Sequence, residues 1–271
     1  MANRITTLIL TIGTFLSLGA ARSGPADQSG GTPLKLKILS YNVKNGVGLD
    51  KVTDYDRVAN VLKMMDADAI AIQELDSATS RSKGVVVLKE LAAKTGMHPT
   101  YSASIDFQGG KYGVGMLTKE QPISWKKIPL PGREERRSLL LVELKEYVVC
   151  CTHFSLTGED RLASVDLINE ATKAYAKPVL LAGDLNAEPG TAVTKKLEEH
   201  WTMLSNPREM TFPANNPSRC IDYILLRKDA NYRITSMETQ VGAEPVASDH
   251  RPLWIKITLQ KERQKAETNN H

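Results

Sequence analysis

The stretch Asp68-Ala69-Ile70-Ala71-Ile72-Gln73-Glu74-Leu75 is apolar at every position from Ala69 to Ile72 and turns polar only at Gln73. A strand exposed on one side alternates apolar and polar residues; one that does not is covered on both faces. Upstream, Leu34 to Val43 alternates and then becomes apolar, which reads as a first strand. Between the two strands, Asp54 is placed to cap a helix carrying Val58, Val61, Leu62 and Met65 at helical spacing. Downstream, residues 84–96 read as a helix, and strands follow near 98–104, 113–118, 123–129, 138–144 and 147–154. A helix from Glu159 to Tyr175 precedes a strand from Pro178 to Gly183, and another helix begins near Thr191. The last strands are 221–226, 232–238 and 253–259. Strands outnumber helices and many are consecutive, so the expected fold is sheets packed face to face with helices outside.

The chain has 271 residues, 41% hydrophobic and 24% charged, which excludes a disordered, collagen-like or coiled-coil protein. Its net charge of +4 is too small to argue for nucleic acid on charge alone. Met1 to Arg4, the apolar run Ile5 to Leu18 and the small residues Gly19-Ala20-Ala21 have the layout of a secretory signal peptide, assigned to 1–22. The run is shorter than the ~20 residues of a membrane span. An exported protein, periplasmic or extracellular and without stable membrane insertion after cleavage, is therefore expected. A linker (23–33), one domain (34–260) and a polar tail (261–271) complete the layout, and a monomer is the expected state. Cys150, Cys151 and Cys220 match no zinc spacing, and neighbours on a strand face opposite sides, so buried free thiols are expected.

Polar residues follow directly on apolar runs at Asn42, Gln73-Glu74, Thr152-His153, Asp184-Leu185-Asn186 and Ser248-Asp249-His250, and Asp222 lies within the apolar strand Ile221 to Leu226. Each alone has an ordinary explanation: Asn42 a turn, Asp184 a helix cap, His153 a satisfied core histidine. Together, carboxylates at the ends of buried strands converge on one rim, which is costly without a cation. Oxygen ligands of this kind suit a hard divalent ion, Mg2+ or Mn2+, and two histidines beside them supply proton transfer or phosphate contacts. There is no Ser-His-Asp signature, activated cysteine or Gly-Lys-Ser/Thr phosphate loop. The combination points to hydrolysis of a phosphate ester.

Seven segments in order, SYNVKNG (40–46), AIQELDS (71–77), YGVGMLTK (112–119), CTHFSL (151–156), LLAGDLNAEPG (180–190), CIDYILL (220–226) and ASDHRPL (247–253), resemble the endonuclease/exonuclease/phosphatase superfamily. The resemblance implies a four-layer α/β/β/α sandwich, two mainly antiparallel sheets flanked by helices, with the active site across their open ends. It implies Glu74 as the main metal carboxylate, helped by Asn42 and Asp249, and Asp184 as the group that orients or deprotonates the attacking water or holds a second ion. Asn186 would bond a phosphoryl oxygen, His250 would pair with Asp222, and His153 would meet the phosphate from the opposite side. Water would displace the leaving group in line, with no covalent enzyme intermediate.

Where similar proteins often read YGNA, this chain has Tyr112-Gly113-Val114-Gly115, so no side-chain amide stands at Val114. Lys44 has no assigned role. Of Arg133, Arg136 and Arg137, at least two are expected on a solvated hairpin, although an arginine there could clamp an anion. Trp125, Trp201 and Trp254 are expected in core or sheet packing rather than as base-stacking platforms. No basic stripe, wedge loop or exposed apolar hairpin selects among a DNA or RNA substrate, a lipid headgroup and a small phosphate ester. A non-catalytic binding protein on the same fold is the reading from another class, and the complete set of acids and histidines speaks against it.

Overall fold

The computed structural model describes residues 31–228 and 231–262. The predicted signal peptide, most of the linker and most of the tail lie outside the described residues. The first sheet has strand order β11 (Tyr232–Val241), β12 (Leu253–Lys261), β1 (Leu34–Asn42), β2 (Ala69–Ser77), β4 (Gly110–Thr118), β3 (His98–Phe107). The second runs β5 (Ser124–Leu130), β6 (Arg137–Glu143), β7 (Val148–His153), β8 (Val179–Asp184), β10 (Asp222–Arg227), β9 (Trp201–Met203). Helices α1 (Tyr55–Met65) and α2 (Val87–Thr95) cover the first sheet; α3 (Gly158–Thr172) and α4 (Ala192–His200) cover the second.

Three apolar layers hold these four together. Between the sheets, Ile38, Ala71, Met116 and Ile255 of one meet Leu140, Val149, Leu180 and Ile224 of the other. Outside the first sheet, Leu39, Ile70 and Ile72 pack against Val58, Leu62, Leu88 and Leu91. Outside the second, Leu139, Leu181 and Leu225 pack against Val165, Ile168 and Leu197. This arrangement explains why 69–72 lacks alternation: Ala69 and Ala71 face the other sheet while Ile70 and Ile72 face the helices. The Asp54 cap forms, its carboxylate accepting the Arg57 N–H at 2.8 Å.

Within sheets that are otherwise antiparallel, β1–β2 and β7–β8 are parallel pairs, crossed over by α1 and α3. Their C-terminal ends sit side by side, Asn42 opposite Gln73 and His153 opposite Asp184. Asp222 opens β10 opposite the same Asp184. Parallel strands in open α/β sheets present their sites at these ends.

Several details differ from the sequence reading. The β3–β4 hairpin is longer at both strands, closing on Gln108-Gly109 with φ of 46° and 79°, the left-handed pair that a two-residue hairpin turn requires. Strand β12 runs through Lys261, one residue into the predicted tail. Trp201 and Trp254 are buried, but Trp125 is 54% exposed, because β5 is an edge strand and places it on the open side. The cysteines are all buried and unbonded; Cys151 faces the inter-sheet layer and Cys150 the helices. Among the described residues, no helix is long and apolar enough to cross a membrane.

Candidate active site

Asp184 is the hub of a buried polar cluster at the open end of the sandwich. Its Oδ1 accepts the Asn186 backbone N–H at 2.9 Å, a turn in which Asn186 adopts a φ of 46°. Its Oδ2 accepts the Asn42 amide at 3.2 Å and lies 3.5 Å from His153 Nε2 and 3.6 Å from His250 Nε2. Asn42 also donates to Glu74 Oε1 at 2.9 Å, while its own Oδ1 accepts the Lys44 N–H at 3.1 Å. In this geometry Asn42 directs donor hydrogens at two carboxylates and braces them. Asn186 donates its side-chain amide to the Phe154 carbonyl at 3.0 Å, which anchors it between the ends of β7 and β8.

Glu74 reaches the rim through a break in its strand. The β2–β4 register shifts between Ile72 and Leu75, and Glu74 has a φ of 61°. A bulge of this kind re-aims a side chain that regular pleating would send elsewhere. Burial pushes the Glu74 carboxyl up and the Asn42 amide only partly relieves it, while the charges of Asp249 and Asp184 push it further.

The surroundings push the two histidines in opposite directions. His250 Nδ1 faces Asp222 Oδ2 at 2.9 Å, and its ring lies tilted against Phe212 at a centroid separation of 4.8 Å. Burial disfavours its imidazolium, but Asp222 and Asp184 outweigh that and raise His250 to about 10. Burial also pushes His153 down; Asp184 opposes it, but the Arg137 guanidinium and His250 reinforce it, leaving His153 near about 4. Arg137 adds to the effect of burial in the second case. Its guanidinium lies 3.2 Å from His153 Nδ1 and 2.8 Å from Glu135 Oε1. A guanidinium can only donate, so His153 Nδ1 accepts and the ring proton sits on Nε2, facing Asp184.

The structure brings the eight residues singled out from the sequence, Asn42, Glu74, His153, Asp184, Asn186, Asp222, Asp249 and His250, to one connected rim. It adds two. Arg137 is buried at the first position of β6, whereas Arg133 and Arg136 are exposed as a solvated hairpin requires. The signal for Arg137 was an arginine opening the apolar strand Ser138 to Val142. Lys44, on a turn where it and Asn45 have φ of 45° and 47°, extends its ammonium to 2.7 Å from Asp249 Oδ2.

Over residues 39–250 the chain matches the Endonuclease/Exonuclease/phosphatase family. It belongs to that family. As a family member it is similar in fold to a Bacteroides vulgatus endonuclease/exonuclease/phosphatase (16% identity, TM-score 0.68, 84% of this chain and 100% of the other). It is likewise similar to the mannosyl-6-phosphatase of Bacteroides thetaiotaomicron (17%, TM-score 0.63, 82% and 99%) and to TDP2 of Caenorhabditis elegans (15%, TM-score 0.60, 83% and 74%). A curated relative, a UPF0294 protein of Vibrio campbellii, is 25% identical over 164 residues, 56% of either chain. Endonuclease/exonuclease/phosphatase membership supports a hydrolase of phosphate esters.

The family site also fits a divalent cation. Glu74, Asp184 and Asp249 supply hard oxygen donors whose charges act on one another, and Asp222 Oδ1 is buried without a hydrogen-bond partner. Atoms of Asp184, Asp222 and His250 also lie within 4.8 Å of one another, a second group that could hold an ion.

Proposed function

We propose that the chain is an exported, divalent-metal-dependent phosphoesterase that hydrolyses a phosphodiester or phosphomonoester by direct attack of water. The observation that carries this reading is Asp184, one carboxylate oxygen 3.5 Å from His153 Nε2 and 3.6 Å from His250 Nε2, in surroundings that push the two imidazoles in opposite directions. Titratable groups driven apart by their surroundings are how one site holds an acid and a base together.

Glu74 and Asp249 would hold Mg2+ or Mn2+, which when bound supplies charge stabilisation at the phosphoryl oxygens. Asp184, fixed by Asn186 N–H and Asn42, orients a water and accepts its proton. His250, charged by Asp222, faces the developing phosphoryl charge, and the His153 Nε2–H donates to it from the other side. Asn186 adds its remaining amide hydrogen. The mannosyl-6-phosphatase likeness favours a phosphate ester outside nucleic acid, while the endonucleases and exonucleases of the family leave nucleic acid as a substrate class.

EDTA is expected to abolish hydrolysis and Mg2+ or Mn2+ to restore it. Glu74→Gln should weaken metal affinity by at least the 10–100-fold seen when mere supporting partners are removed, with the fold retained by circular dichroism. Hydrolysis that survives chelation overturns the metal mechanism. Calorimetry showing no divalent-ion binding would favour a non-catalytic binding protein.

A further inference from the structure

Beside the site, two turns overhanging from the edge strands enclose a groove of about 710 Å3. One wall is the β3–β4 hairpin with Phe107 and Lys111; the other is the β5–β6 connection, Gly132 to Arg136, with Lys127 of β5. Topology puts both walls at the reacting end of the sandwich. Tyr112, just past the hairpin turn, pairs with Asp76, two residues beyond Glu74. Leu130, just before the connection, pairs with Arg137, whose guanidinium reaches His153.

The acids of the groove are already engaged. Asp106 is paired with Lys111, and Glu135 with Arg137 at 2.8 Å. Glu134 accepts the Ser155 hydroxyl at 2.9 Å and the Leu156 N–H at 2.7 Å. Arg133 is held by Glu159 and Asp160. Lys127 and Arg136 remain, both exposed and, among the described residues, in no salt bridge or hydrogen bond. Exposed cations cost little in water, so stability does not explain them. What distinguishes these two is a shared concavity whose acids are all engaged, at the same end of the sandwich as Asp184.

We propose that this groove binds a second phosphate-type anion of the substrate through Lys127 and Arg136. The natural substrate then carries at least two such groups, one at Asp184 and one at the β3–β5 edge. The proposal rests on the phosphoesterase reading for the first position, whereas occupancy of the groove is testable by binding alone.

The test measures equilibrium binding of a short oligothymidylate and of inositol hexakisphosphate to the full chain, across salt, alongside hydrolysis of bis(p-nitrophenyl) phosphate, with one phosphate, and of a trinucleotide, with two. Lys127→Glu with Arg136→Glu should weaken whichever probe the wild type binds by roughly tenfold or more and reduce its salt slope by about 2. The preference in kcat/KM for the trinucleotide over the small ester should fall with it if chain phosphates are the source. Weakening confined to the hexakisphosphate identifies a compact polyphosphate instead, and either pattern supports the groove. A control reversal at Lys35 and Lys195 carries the same charge change away from it. Unchanged affinity, equal weakening by the control, or no binding of either probe to the wild type overturns the proposal. The alanine pair at 127 and 136, with matched melting curves, guards against a misfolded variant. If the wild type hydrolyses no ester, the phosphoesterase reading fails while the binding arm still decides the groove.

Discussion

His153 and His250 stand on either side of one carboxylate oxygen and yet their pKa values are pushed in opposite directions: burial lowers both, but their second nitrogens face opposite partners. His250 Nδ1 meets the Asp222 carboxylate; His153 Nδ1 meets the Arg137 guanidinium. Asp222 and His250 then act as one unit, and Asp222→Asn and His250→Ala should each lower kcat by roughly two to four orders of magnitude. The double variant should be little worse than the worse single, whereas His153→Ala should compound with Asp222→Asn. Steady-state kcat for these variants decides it, and fully multiplicative losses at 222 and 250 would break the dyad. That Asp222 needs a partner was legible because a lone acid inside an apolar strand must find one, whereas His250 as that partner was what the family resemblance implied. The Arg137 contact was not: an arginine beside two others reads as solvated, and only the β5–β6 register shows which of the three turns inward.

At the level of elements, the strand ends were readable and the departures from regularity were not. Gln73-Glu74 marks where a buried strand meets the rim, but the bulge that turns Glu74 towards Asn42 leaves no composition signal. The close approach of β7 and β8 is similar. A Cβ on Gly183 would sit 2.1 Å from the Thr152 carbonyl oxygen, backbone that cannot move aside. Gly183→Ala should therefore cost about 1–3 kcal/mol, read as a lower denaturation midpoint, and should disturb the neighbouring Asp184. The β5–β6 connection carries a pH signature. Burial works against the Glu134 charge, but the Ser155 hydroxyl, the Leu156 N–H and Arg137 hold its pKa down, from 4.5 to about 2. A lowered folded pKa contributes stability fully present above the unfolded value and lost as pH falls through the folded one. The melting-temperature gap between wild type and Glu134→Gln should thus be constant above about pH 5 and close between about 4.5 and 2. A gap that persists at the acid end would remove the carboxylate as its cause.

For the whole molecule, strand count and adjacency pointed to packed sheets, while the order of strands within each sheet lay beyond reach, since long-range pairing is not encoded in local periodicity. Export belongs at this scale too. The mature chain is expected to begin between Ala21 and Gly24, outside the cytoplasm, and N-terminal sequencing of the native protein reads it directly; an intact Met1 form from cytosol would contradict it. A last consequence follows from where the cluster is built. Asn42 and Glu74 hang from one sheet, while His153, Asp184 and Asp222 hang from the other, joined across the apolar layer between them. No single half owns a competent centre. Catalysis is in that sense a gauge of the seam: turnover reports whether the two sheets are closed on each other, and loosening the seam silences the chain before either sheet has come apart.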